Sequence, residues 1–429
     1  MSDAGPTRRD VVKAAVAVGG AVGLSACIDA IGGESTAPTG PDDLSTLPER
    51  QHAWKGRVRE DEFGNEALPR HQTLLYLNLT EGPSADARDT VEAALSTLDR
   101  ALARNHEGLL HSIAYSPAYF DRHFDESLPE DLDLPEPRAL SSFEDPELDR
   151  QDALVHIASD QPDVLLRAEE ALTGERDTLN GVTVEGALTD VFEVDSRRTG
   201  FVGAGMPFER GDEVEGVPDG NPIPEASPLF MGFKAGFAKN QATEDYVTLD
   251  SGPFAEGTTK HVSNIRQRLA DWYGEQSFDD RVMEMFSPGH VEQGLVEGVG
   301  ENLGDDSGID RFVDDIEAHA REYGRVGHAQ KAARANRDAD GNPLLLRRHF
   351  ESADENVASL HFPSLQRGIG QFEAVRQAMN GEDIPQITPA VRQRVNNGIL
   401  EYIFTKKRGN FLVVPRSLRA LPTPTGDVE

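Results

Sequence analysis

Three times along this chain a short apolar run suited to a strand is followed at once by a segment suited to a helix. That order restricts the folds open to it. Residues 72–79 (QTLLYLNL) alternate in the manner of a strand and carry an aromatic. They lead into residues 84–104, where Val91, Ala94, Leu95, Leu98 and Leu102 share one helical face. Residues 152–159 (DALVHIAS) and 162–172 repeat the order, as do 357–365 (VASLHFPSL) and 366–379. Between these units the sequence predicts a loop-rich stretch over 200–256 and a helical stretch over 259–323, with a last short strand at 411–414. Such a mixture reads as α+β, with helices packed on antiparallel sheets. Two similar halves are expected, one beginning near residue 70 and the other spanning the later strands. No fixed period is visible, which argues against a solenoid. A length of 429 residues fits two to three domains or one large duplicated unit.

Charge narrows the function classes. There are 75 acidic against 42 basic residues, a formal charge of −33, spread along the whole chain. Hydrophobic residues make up 38% and mean hydropathy is −0.49, low but enough for a core at this length. The periodic apolar segments argue against acidic disorder. A folded protein solvated by surface carboxylates, as in halophiles, is the better reading. At molar salt the Debye length falls to ~3 Å, which screens the self-repulsion. Nucleic acid is a poor partner, because nothing here would release phosphate counterions.

The N-terminus reads as an address and not as fold. Thr7-Arg8-Arg9-Asp10-Val11-Val12-Lys13 and the Ala-, Val- and Gly-rich run through Leu24 form a twin-arginine signal. Its apolar region is too short and too rich in glycine for a membrane span. It ends in Leu24-Ser25-Ala26-Cys27, which resembles a lipobox. Cys27 is the only cysteine, so no disulfide forms within one chain, and its position favours lipid attachment over a buried thiol. The expected organisation is a signal with lipobox over 1–27, a flexible tether over 28–50, an N-terminal half over 51–210, a C-terminal half over 211–420 and a tail over 421–429.

Most of the 12 histidines have ordinary explanations as solvated or hydrogen-bonded side chains. No paired-Cys or His-Glu zinc spacing occurs, no dinucleotide-binding glycine motif follows a convincing strand, and no Gly-x-Ser-x-Gly elbow is present. One constellation differs. His328 lies in RVGHAQKAAR, Arg347-Arg348 follows in GNPLLLRRHF, and the strand SLHFPSLQ comes next. Neutral imidazole is the usual proximal ligand of haem iron, and a fixed guanidinium can polarise a bound peroxide. By spacing alone a basic pair is more often solvated surface.

The ordered set resembles the dye-decolourising peroxidase family. That family has a Gly-x-x-Asp-Gly motif, then a ligand His, then a Leu-Leu-Arg-Arg-type segment and a Leu-Phe strand. This chain has Gly232-Phe233-Lys234-Ala235-Gly236, GTTKHVSNIRQRLADWY, Gly327-His328, Leu345-Leu346-Arg347-Arg348, SLHFPSLQRGIGQF and ILEYIFTKKRGNFLVVPRSL, in that order. DALVHIASDQPDVLLRAEEAL resembles the family's early strand-helix unit, and the resemblance covers roughly residues 70 to 418. It implies duplicated ferredoxin-like halves, the dimeric α+β barrel, with antiparallel sheets flanked by helices. It implies haem b (iron protoporphyrin IX) in the C-terminal half. His328 would be the axial ligand and Arg347 the distal arginine, while Arg348 would support structure or a haem propionate. Gly232, Gly236 and Phe362 complete the haem-binding set so implied.

The implied activity is an exported, lipid-anchored peroxidase that uses hydrogen peroxide to oxidise small organic reductants, with room for a homo-oligomer. Surface Trp272, Tyr273 or Tyr402 could relay electrons, although ordinary packing explains them as well. One departure bears on turnover: the motif Asp is Ala235, and a methyl group transfers no proton. His349, Asp245 and Glu244 are candidate substitutes. Two other readings therefore stand beside the peroxidase: iron release from haem at the cell surface, and haem binding or sensing without turnover.

Overall fold

The computed structural model describes residues 37–426. Within them β1 (His71–Leu79) is buried on both faces from Gln72 to Leu77, which explains its nearly continuous apolar run. Helix α1 (Ala85–Ala101) starts where the Ser84 hydroxyl accepts from the amide of Ala87, 3.2 Å away. Its Val91, Leu95 and Leu98 are fully buried and pack with Leu75 and Leu77 of β1. Strands β2 (Leu110–Tyr115) and β3 (Ala153–Ser159), helix α2 (Pro162–Leu172) and strand β4 (Phe192–Phe201) complete the first half. The strands lie antiparallel in the order β2-β3-β1-β4. That is a ferredoxin-like βαββαβ unit.

The second half repeats it. Strand β5 (Thr258–Gln267) is followed by α3 (Phe278–Met285) and α4 (His328–Ala333), then by β6 (Leu346–Arg347) and β7 (Phe350–Ser352), which form one interrupted strand. Strand β8 (Ser359–Gln366), helix α5 (Ile369–Asn380) and strand β9 (Ile403–Val413) follow. Here the order is β7-β8-β5-β9, again antiparallel, so the duplication expected from the sequence is present.

The two sheets join at both seams. Glu351 of β7 lies opposite Phe201 of β4, and Leu412 of β9 opposite Tyr115 of β2. With β5 paired to both β8 and β9, the strands close into a barrel. Leu74 and Tyr76 of the first half and Val262, Phe350 and Phe411 of the second meet in its interior. Polar groups share that interior: the Lys260 ammonium lies 3.1 Å from Nδ1 of His156, whose Nε2 is 2.8 Å from the Gln72 amide oxygen.

Several sequence expectations change. Residues 258–267 are a strand and not the start of a helical stretch. Residues 110–115 and 192–201 are strands that alternation did not reveal, and the last strand begins at Ile403 and not at 411. Barrel strands with a partly polar interior lose the apolar/polar alternation that marks a strand with one wet face. No helix among the described residues is long and apolar enough to cross a membrane. Arg8, Arg9 and Cys27 lie outside the described residues.

Candidate functional site

His328 is the first residue of α4, and its backbone is held on two sides. A side chain at Gly327 would collide with the Phe286 carbonyl, so the entry to the helix requires glycine. On the other side Gly398, at φ +59°, packs against the Cα and amide of His328. One turn on, the buried ammonium of Lys331 donates to Met379 O (2.7 Å), Asn397 O (2.8 Å) and Asn397 Oδ1 (2.6 Å), which ties α4 to the segments that flank it.

The His328 imidazole has no hydrogen-bond partner among the described residues and opens onto two adjoining cavities. One, of about 130 Å³, lies between the outer face of β5, β8 and β9 and the helices α4 and α5. Its walls are mostly apolar: Met231, Ile265, Leu345, Leu360, Phe362 and Val375 contribute. The other, of about 120 Å³, runs along Ala235, Gly236 and Phe286. Burial first, and then the charges of Lys331, Arg347 and Arg376, lower the His328 pKa to about 3, so the ring is a neutral donor of an electron pair.

Arg347 lines both of these cavities. Gln241 holds it: the Gln241 amide oxygen accepts from the Arg347 amide (3.0 Å) and from Nε (3.1 Å), while the Gln241 NH₂ donates to the Arg347 carbonyl (3.1 Å). No carboxylate pairs with the guanidinium among the described residues. Burial, and then the charge of Arg337, lower its pKa to about 10, so it remains a cation at neutral pH. The same side chain reaches a wider outer cavity of about 450 Å³, lined also by Ala235, Gly236, Lys234 and His349. His349 is 7% exposed, lies 5.9 Å from Phe362 in a stacked arrangement, and has a buried Nδ1 with no partner. Burial and the neighbouring Arg347 lower its pKa to about 3.

The structure thus brings His328, Arg347, Ala235 and Gly236 to one set of cavities, with Phe362 on the inner wall. Other expected residues lie elsewhere. Arg348 points away: it pairs with Glu244 at 2.7 Å and sits 4.0 Å over the Trp54 ring, and it lines none of these cavities. Strand alternation separates it from Arg347. Gly232, at φ +87°, shapes the turn beneath Tyr273 and lines none of these three cavities. Glu244 is engaged with Arg348 and the Trp54 amide, and Asp245 pairs with Arg50 on the surface, so neither faces Ala235. Trp272 and Tyr402 are buried and pack edge to face at 5.0 Å, and the Tyr273 hydroxyl donates to Phe230 O at 2.7 Å. Trp272 and Tyr402 are therefore not surface aromatics, whereas Tyr273 is half-buried. Sequence reasoning missed Gln241, Arg376 and Arg408; nothing in a loop glutamine or a helical arginine marks it as lining a cavity.

The fold is that of the dye-decolourising peroxidases. DyPB from Rhodococcus jostii RHA1 superposes with a TM-score of 0.52 at 15% identity, over 83% of this chain and 96% of that one. The encapsulated DyP-type peroxidase from Mycobacterium smegmatis gives 0.51 at 15% identity, over 86% and 99%. A dye-decolorizing peroxidase from Bacteroides thetaiotaomicron gives the same values. A variant of the Rhodococcus protein is a complex with heme, at a TM-score of 0.51 and 15% identity over 87% and 99%. By sequence the chain belongs to a family of unknown function, DUF7405, which matches residues 69–415 and so spans both halves. No curated protein matches the chain in sequence.

Proposed function

We propose that this protein binds haem b in the inner cavities, where His328 would ligate the iron, and uses hydrogen peroxide to oxidise small organic reductants. The observation that carries this is an imidazole without a hydrogen-bond partner and a guanidinium without a carboxylate, among the described residues, opening onto one mostly apolar space. The residues fit the group. A metal-ligating His needs a neutral imidazole with a free nitrogen, and a porphyrin needs apolar walls such as Leu360, Phe362 and Val375 provide. When bound, haem would supply the redox chemistry.

This chain's own residues do the rest. Gly327, Gly398 and Lys331 hold α4, and with it the His328 ring. Arg347, fixed by Gln241, would supply positive charge to a peroxide held in the cavity. His349, with a partnerless nitrogen in the outer cavity beside Ala235, is the group we assign to hold the proton that the family's aspartate would hold. The outer cavity admits peroxide and reductant. A second reading, a haem-binding or iron-releasing lipoprotein with little turnover, is favoured by Ala235, which has no acid-base function. Export by the twin-arginine route, anchoring at Cys27 and a high-salt habitat belong to the same proposal; the signal motif, the lipobox and the −33 charge support them.

The test is the absorption spectrum of the haem-reconstituted protein in high salt, before and after one equivalent of peroxide. A Soret band that shifts with peroxide and is lost in His328→Ala supports the peroxidase. A His328-dependent band that peroxide leaves unchanged supports the second reading; porphyrin recovered without its iron would mark iron release. A band unchanged in His328→Ala overturns the ligand assignment.

A further inference from the structure

The inner cavity, whose walls are mostly apolar apart from His328, Arg347, Asn336 and Gln267, is also charged toward α5 and β9. There Arg376 and Arg408, 7% and 1% exposed, both line the wall and share one carboxylate. Glu144, from the segment between β2 and β3, accepts from Arg408 Nε (3.0 Å) and Nη2 (2.9 Å) and from Arg376 Nη2 (3.3 Å). Arg408 also donates to the Ser263 hydroxyl (3.1 Å), and Arg376 to Asn380. Two buried cations thus face one anion.

The excess continues around the cavity. Arg347, which lines the same cavity, has no carboxylate partner among the described residues. The chain has 75 acidic residues for 42 basic ones, so uncompensated positive charge around one apolar space runs against its composition. A buried cation without a counter-charge is costly, and that cost falls when an anion with an apolar body enters.

We infer that the α5–β9 end of the inner cavity is a carboxylate site, formed by Arg376 and Arg408 on Glu144. Its ligand is a flat amphipathic organic acid that lies along Phe362 and Leu360 and turns an acidic edge toward α5. The inference rests on the haem reading, in which that acid is a propionate. It adds an orientation: at least one propionate points inward to the buried arginine pair and not outward to solvent.

Iron-free porphyrin separates this site from the axial ligand. The full chain is titrated with protoporphyrin IX and with its dimethyl ester, which keeps the ring and removes both charges. The free acid is expected to bind about 10-fold or more tighter, as charge-assisted hydrogen bonds in a buried site allow. Arg376→Met should erase that preference by weakening the acid alone, Arg376→Lys should restore part of it, and His328→Ala should leave it unchanged. Equal affinity for acid and ester in the parent protein, which needs no variant to fold, overturns the inference. So does a preference that survives in Arg376→Met, or failure of both porphyrins to bind. A His328-dependent Soret band together with equal affinities leaves the haem reading standing without this site. An acid preference without such a band leaves the site and removes the axial ligand.

Discussion

A methyl group on Gly398 would stand 2.9 Å from both the Cα and the amide nitrogen of His328, so the candidate iron ligand is placed by a residue 70 positions away that has no side chain. Gly398 is also at φ +59°, where a side chain costs about 1 kcal/mol even in open space. Gly398→Ala should therefore lower the melting temperature and push α4 toward the cavity. Because disturbing the groups that hold a metal ligand in place typically costs about 10-fold or more in affinity, haem uptake should weaken by at least that factor. Thermal melts and a hemin titration check both; a variant that melts and binds as the parent does would show that α4 yields without consequence.

Arg347 and position 235 should act in opposite directions on the reaction with peroxide. Arg347→Leu removes the unpaired guanidinium and should slow the step by about 10²–10³-fold, the usual cost of losing one charge-stabilising donor. Ala235→Asp restores a carboxylate to a cavity shared with Arg347 and should speed it by about 10-fold. His349→Phe should slow the parent but affect Ala235→Asp much less, since the new carboxylate would then hold the proton. Stopped-flow absorbance reads all four proteins. Equal slowing by His349→Phe in both backgrounds would remove His349 from the proton path.

Part of this arrangement was legible in the sequence, and the limits follow from the barrel. Residues 72–79 read as a strand by their alternation and aromatic content, and both they and 152–159 carry enough apolar side chains to face the barrel interior and the helix layer. Residues 258–267 (TTKHVSNIRQ) and 192–201 (FEVDSRRTGF) carry polar groups into the interior, Lys260 beside His156 and Arg198 on Asp149 at 2.8 Å, and neither period is visible in them. Among the site residues, the order of His328, Arg347 and the following strand carried the signal. Spacing did not separate Arg347 from Arg348, because two adjacent residues of a strand face opposite ways and only the structure shows which side holds the cavity. Gln241, Arg376 and Arg408 needed three-dimensional neighbours.

Glu351 makes stability depend on pH. Its carboxyl is wholly buried, accepts from the Phe230 amide (2.8 Å) and Gln267 (3.3 Å), and has one oxygen without a partner. Burial raises its pKa from 4.5 to about 8. Between those values the unfolded chain has released the proton that the folded chain keeps. The contribution from this group is therefore present below the unfolded value and lost as pH rises toward 8, by about 1.4 kcal/mol per unit at most. Glu351→Gln keeps an acceptor and cannot ionise, so its stability relative to the parent should grow from pH 5 to pH 8. Denaturant melts at several pH values check the difference, and a constant offset would mean that Glu351 ionises in the folded state as freely as outside it.

Export and anchoring have separate levers. If the Arg8-Arg9 pair is the address proposed above, Arg8→Lys with Arg9→Lys should keep the protein in the cytoplasm. Under the lipobox proposal, Cys27→Ser should allow export and release the protein from the membrane; no helix among the described residues is long and apolar enough to cross one. Fractionation of cells carrying each variant checks this, and membrane retention of the Cys27→Ser protein would count against the lipobox.

The charge of −33 predicts a response to salt. Raising potassium chloride from about 0.1 M to about 1 M shortens the Debye length from ~10 Å to ~3 Å and should raise the melting temperature. A melting temperature that falls over that range would assign the acidic surface some other role.

Closure of the barrel also governs when this protein can become itself. Strand β9 supplies the last seam, joining residue 412 to residue 115 and lying against β5 along most of its length. Until residue 413 has left the ribosome, β2 and β5 remain open edges, free to pair with a neighbouring chain. Contacts separated by nearly three hundred residues form late and slowly. A nascent chain of this design therefore carries unpaired strand edges through nearly its whole synthesis and can complete its barrel only once it is released.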